Sequence, residues 1–262
     1  PLFAYLLLLN VGLAQVARVK RWPVLTVLTL ILTTIYQWGW VLKFLDHSSV
    51  PLAMGFFLLL PLAAIAGLMF AGGARGAAAD TNGQSFEKTA LVSAAMPLLF
   101  ALYLAAVPAY GARPSLLFGF LIVIDVGLLA IAIARRQGLL HAVGALATML
   151  VMATWMSMWI GPWIVATHGA SSHGLVAVGF TALFSVFYLV APLVAGWFAR
   201  PLTGAAARAH YAGPLLLATF PVLAAVEPAF VAPWPLMGVL LSLGVLIAWR
   251  AVTSGSGSLY YI

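Results

Sequence analysis

The groups in this chain able to move a proton or hold an ion are few: five acids and five histidines in 262 residues. Asp46, His47, His168, His173 and Glu227 fall in short polar segments between long apolar runs. Imidazole and carboxylate side chains together can bind a divalent ion or serve as general acid and base. His168 and His173 are five residues apart, whereas a helical ligand pair needs a spacing of about three or four. These five therefore read first as solvated loop residues, and no metal or other cofactor is expected. No phosphate loop, dinucleotide turn or nucleophile elbow accompanies them. The absence of cysteine excludes disulfides, thiolate ligands and cysteine nucleophiles.

Asp125 poses a different problem. It lies in the middle of the apolar run Leu117 to Arg136. An ionised carboxylate at the centre of a membrane span costs about 2.5–3.5 kcal/mol, a cost that a protonated carboxyl largely escapes. The run is LFGFLIVIDVGLLAIAIARR, and it echoes Leu2 to Arg21, LFAYLLLLNVGLAQVARVKR. Asn10 stands where Asp125 stands, and it is isosteric and uncharged. The pair points to interhelical hydrogen bonding at that slot, with a proton or cation pathway as the alternative. Gln15 and Gln37 are further polar groups within apolar runs and read as helix–helix contacts. No second acid follows in the membrane to form a relay, which weakens the transport reading.

The elements that position these residues follow from composition. The chain is 65% hydrophobic and 6% charged, against about 25% charged in an average soluble domain. So few charges cannot cover a water-soluble sphere, so lipid must solvate most of the surface. The apolar runs are near twenty residues and do not alternate in polarity, which excludes a transmembrane barrel. A helix needs about twenty residues to cross about 30 Å of hydrocarbon. Nine segments qualify, at roughly 1–17, 23–45, 50–71, 89–111, 115–134, 138–160, 174–198, 212–232 and 235–250.

Nine spans place Arg18, Lys20, Arg21, Arg75, Lys88, Arg135, Arg136, Arg200, Arg208 and Arg250 on one side, leaving Lys43 and Arg113 on the other. The rich side is expected to be cytoplasmic, with the N-terminus of the chain outside. Trp22, Trp197 and Trp249 then sit near the inner boundary. Trp38, Trp40, Trp155, Trp159, Trp163 and Trp234 sit near the outer one, as an aromatic belt. Trp155, Trp159 and Trp163 share a helix face, which could line a pocket or simply pack. His141 is expected to meet headgroups at the start of the sixth span. In the loop at 72–88, Ser85 suits a helix cap and Glu87 a first turn.

The echo extends further. Trp40 falls opposite Trp155, Phe57 and Pro61 opposite Tyr188 and Pro192, and Pro97 opposite Pro214. Four spans separate the copies, so both have the same orientation. The expected fold class is all-α: a polytopic transmembrane helical bundle of about nine spans in tandem parallel four-span repeats. The first repeat covers 1–114 and the second 115–233. The segment 234–262 begins a third and ends in a Gly/Ser-rich tail.

The opening FAYLLLLNVGLAQVARVKRW, followed by Tyr36-Gln37-Trp38-Gly39-Trp40, resembles a bacterial multi-pass membrane protein family known as domain of unknown function 2339. The resemblance implies a bacterial cytoplasmic (inner) membrane location and a longer parent chain. It supplies no catalytic residue.

The leading expectation is a non-enzymatic integral membrane protein: a scaffold, sensor or envelope component. Its partners would be the lipid bilayer, other membrane proteins or further repeats of the same chain. The alternatives are a transporter or channel using Asp125 and Asn10, and a membrane enzyme acting at the outer face on lipid-linked or glycan substrates. The basic residues are spread over separate loops without aromatic interleaving, so nucleic acid is not an expected partner.

Overall fold

The computed structural model describes residues 2–20, 23–59, 95–135, 138–159, 173–226 and 234–254. Every regular element among them is helical, and no strand occurs among the described residues. The helices are α1 (Leu2–Lys20), α2 (Pro23–Phe44), α3 (Val50–Leu59), α4 (Ala95–Ala106), α5 (Pro108–Gly111), α6 (Pro114–Arg135) and α7 (Gly138–Trp159). They continue with α8 (His173–Trp197), α9 (Ala205–Arg208), α10 (Ala212–Leu217), α11 (Thr219–Val226) and α12 (Trp234–Ser254). A short 3-10 turn, Ala209–Tyr211, joins α9 to α10. Among the described residues, four segments are long and apolar enough to cross a membrane: Pro114–Ala134, Gly138–Trp159, Gly174–Trp197 and Trp234–Thr253. They coincide with the expected fifth, sixth, seventh and ninth spans. The Ser85 and Glu87 caps, Trp163 and the loop at 72–88 lie outside the described residues.

The chain divides into two compact units, Pro1–Phe100 and Ala101–Ile262. In the first, α1 packs against α2. The apolar side chains Leu6, Val41, Ala53, Met54 and Phe57 are buried. Phe57 stacks on Phe100 at 4.1 Å and meets Trp38 edge-on at 6.0 Å. Between α2 and α3, Asp46 and Ser49 bond reciprocally. Asp46 Oδ1 accepts from the Ser49 backbone N–H (2.7 Å), and Ser49 Oγ accepts from the Asp46 N–H (3.0 Å). Such a box satisfies N–H groups that a helix start leaves without partners.

In the second unit α6, α7 and α8 pack on one another, and α10 lies along α8. Prolines shape the irregular parts. Val107 is extended (ψ 114°) because it precedes Pro108, and this separates α4 from α5. The expected fourth span, 89–111, is therefore interrupted. Its last residue remains useful: the Gly111 carbonyl accepts a hydrogen bond from Trp155 Nε1 at 2.9 Å. The expected eighth span, 212–232, is likewise not one helix in its described part. Pro221 cannot donate to the Leu217 carbonyl. The chain turns at Ala218, where Thr219 Oγ1 donates to Leu216 O at 2.7 Å. Pro192 lies inside α8 and leaves the Tyr188 carbonyl without its in-helix donor.

The end of α8 is closed by a tight turn. Arg200 N–H donates to Ala195 O at 3.0 Å, Ala199 N–H donates to Gly196 O at 2.9 Å, and Ala199 has φ 53°. These are the two bonds and the left-handed residue of a Schellman cap. An alanine in that conformation costs about 1–2 kcal/mol.

Candidate functional site

Three helices of the second unit converge on Asp125, which is 1% exposed. Its Oδ2 accepts two hydroxyl protons, from Thr148 Oγ1 on α7 (2.6 Å) and from Tyr188 OH on α8 (2.8 Å). Tyr188 and Thr148 lie 3.1 Å apart, so the three groups form a closed triangle. All three are buried. Each hydrogen bond to a buried carboxyl contributes about 1–3 kcal/mol, and losing one donor would leave its partner unsatisfied. The other oxygen, Oδ1, is buried and has no hydrogen-bond partner. It lies against Gly144 and Leu128: a Cβ placed on Gly144 would be 2.9 Å from Oδ1 and 2.9 Å from Leu128 Cδ1. The absence of a side chain at 144 is what lets α7 approach α6 closely enough for the Thr148 bond.

This asymmetry has chemical content. A carboxylate shares its charge over both oxygens. Here both donors meet Oδ2, and apolar groups meet Oδ1. Oδ2 is therefore the atom that ties α7 and α8 to α6. The arrangement can tie three helices together. It offers no nucleophile paired with a base.

His141 sits on α7, one turn before Gly144. It is 1% exposed, and its ring lies 5.5 Å from Tyr188 and 6.1 Å from Phe187. The expectation that it faces headgroups is thus corrected: the aromatic rings of α8 cover it, and its Nε2 is buried without a partner. The aromatic-belt reading of Trp155 and Trp159 is corrected in the same way. Trp155 is fully buried, bonded to Gly111 O and edge-on to Phe118 at 5.2 Å. Trp159 is buried beside Gly111.

The first unit holds a smaller pair. Asn10 Nδ2 donates to Leu6 O (2.7 Å) within α1 and to Thr33 Oγ1 (2.9 Å) on α2. Gln37 is buried, with Nε2 at 3.5 Å from Phe56 O on α3. Both contacts join neighbouring helices. The Gln15 side chain lies outside the described residues.

Of the five candidate loop residues, His168 and Glu227 lie outside the described residues, as does the side chain of His173 at the start of α8. Asp46 is engaged in its own turn, where hydrogen bonds from Ser49, and then Ser48, hold its carboxyl below its usual range. His47 is exposed in the same turn. Among the described residues no group of three or more His, Asp or Glu side chains could hold a metal ion.

Thr33, Thr148 and Tyr188 are the site residues that sequence reasoning passed over. The signal for the two threonines was present, because the step that carries Asn10 onto Asp125 also carries Thr33 onto Thr148. Both bonded pairs are 23 residues apart. The comparisons add nothing to this geometry. No family model, curated protein or solved structure matches the chain.

Proposed function

We propose that this chain is a non-enzymatic integral membrane protein of the bacterial cytoplasmic membrane, a scaffold, sensor or envelope component. In this reading it has nine spans in tandem four-span units, with its N-terminus outside and its arginine-rich turns in the cytoplasm. The likeness to domain of unknown function 2339 belongs to the same proposal, as do partners drawn from other membrane proteins or further repeats. The matched pairs Asn10–Thr33 and Asp125–Thr148 support the tandem arrangement.

One observation favours a structural role for Asp125 over a transport path. Asp125 is the acid buried within the long apolar helices, and its Oδ2 is held by Thr148 and Tyr188 in a fixed triangle. A transport path would need that carboxyl to reach an entering ion. A structural tie needs it where it is.

The test is reconstitution. In proteoliposomes the wild-type chain should move neither protons nor sodium above the level of empty vesicles. The Asp125→Asn variant should insert and melt like the wild type, because Asn10 already fills the matching slot. A sodium- or proton-driven flux that disappears in Asp125→Asn would overturn the reading in favour of transport. Topology has its own check. Because the chain lacks cysteine, single cysteines placed at Arg18 and Arg135 should label from the same side.

A further inference from the structure

One end of the second unit gathers cations and exposed rings. Arg200 Nη1 donates to Ala134 O at 2.8 Å and Ile133 O at 3.2 Å, so the last turns of α6 and α8 lie side by side. The start of α7 joins them through α9: a side chain on Gly138 would strike Ala206, 2.6 Å away. α9 ends at Arg208, which is exposed. The 3-10 turn that follows carries His210, and α12 packs against α8. The same helix ends present Trp197 (81% exposed), Phe198 (64%) and Trp249 (51%).

The Schellman turn at Ala199 produces much of this arrangement. It folds Arg200 back onto the carbonyl end of α6 and leaves Trp197 and Phe198 facing outward. Strain held at such a turn persists where the surrounding structure fixes it. Counter-charge is scarce in this unit. Residues 101–262 contain two acids, Asp125 and Glu227, and Asp125 is bonded within the helix core. Indole rings favour the headgroup level of a bilayer, and a guanidinium pairs with phosphate in a fork geometry.

We propose that this end is a docking surface for anionic phospholipid headgroups, with Arg200 and Arg208 facing the phosphates and Trp197, Phe198 and Trp249 at the interface. The proposal rests on the reading of the chain as membrane-spanning. The cations come from separate helix ends, a spacing that suits several small headgroups. Each cation near an anionic surface strengthens attraction by about fivefold, and salt weakens it.

The test uses the full chain in nanodiscs of phosphatidylcholine mixed equally with phosphatidylglycerol. The lipid retained by the protein after gentle detergent exchange is then quantified. Phosphatidylglycerol should be enriched over its bulk share. Arg208→Gln should lower the retained phosphatidylglycerol-to-phosphatidylcholine ratio by about fivefold without changing the melting temperature, since Arg208 is exposed. The Arg200→Gln/Arg208→Gln pair should reduce it further, and high salt should do the same in the wild type. Alkaline carbonate extraction separates the two possible failures. Retention in the membrane without phosphatidylglycerol enrichment, or enrichment unchanged in the double variant, would overturn the lipid surface alone. Release by carbonate would overturn the membrane reading and the lipid surface with it.

Discussion

The two units solve the same problem with different chemistry. In the first, an amide meets a hydroxyl: Asn10 bonds Thr33 between two helices, and Asn10 also bonds its own helix at Leu6. In the second, a carboxyl meets two hydroxyls, Thr148 and Tyr188, and links three helices. In the repeat proposed here Phe57 occupies the place of Tyr188. It has no hydroxyl, and it stacks on Phe100 instead. Thr29 occupies the place of Gly144. The first pair is part-buried and the second fully buried. An amide can satisfy donor and acceptor locally, so it stands alone at moderate burial. A carboxyl with one hydroxyl would remain under-satisfied in a deeper site, and the second hydroxyl goes with that depth.

Exchanging the differing positions puts this comparison at risk. Gly144→Thr installs the side chain of the first unit where Asp125 and Leu128 leave no room. It should cost about 3 kcal/mol, read as a lower melting temperature in detergent. The reverse change, Thr29→Gly, should cost about 1 kcal/mol through helix propensity. Equal losses from the two exchanges would mean that the close approach at Gly144 is unimportant. Tyr188→Phe makes the second unit resemble the first and should cost about 2 kcal/mol. Combined with Asp125→Leu, which removes the acceptor that Asp125→Asn keeps, it should cost less than the sum of the separate changes, because the two groups share one bond. Additivity in that cycle would dissolve the triangle. Thr33→Val should cost about 1 kcal/mol, and Thr148→Val should cost more because its site is fully buried.

The smallest effects are electrostatic. Asp46, in the first unit, has its carboxyl pKa held below 3.8 by Ser49 and Ser48. Its contribution is therefore complete above that value and disappears as pH falls through the lower folded value. His210, in the second unit, has its imidazole pKa lowered below 6.5, chiefly by burial and also by Arg250, against the pull of the Ala207 carbonyl. Protonation thus favours unfolding, and stability should decline as pH falls from about 6.5 towards the folded value. Melting between pH 7 and pH 5 should fall in the wild type and fall less in His210→Asn, while Ser49→Ala should matter only in stronger acid. A His210→Asn slope identical to the wild type would remove that assignment.

Long apolar helices were legible because lipid solvation demands about twenty consecutive apolar residues. Asp125 and Asn10 were legible as polar groups that need partners, and the sequence echo that sets Asn10 opposite Asp125 pointed to bonding rather than conduction. Tyr188 was not legible, because it comes from 63 residues away and nothing local ties it to Asp125. The tryptophans misled for a related reason. An indole in a span is ambiguous until something accepts its N–H, and for Trp155 that acceptor is the carbonyl closing α5 after the Pro108 break. The prolines that interrupt the helices expected over 89–111 and 212–232, Pro108 through the extended residue before it and Pro221 through its missing N–H, were visible in the sequence. Their consequence for continuity depended on which turns could be recapped by a neighbour such as Thr219.

Pro192 gives α8 an unequal character on either side of Tyr188. The hydroxyl of that tyrosine fastens neighbouring helices, while its carbonyl misses the rung that would stiffen its own. The weakest rung of α8 thus lies at the same residue whose hydroxyl fastens it to α6.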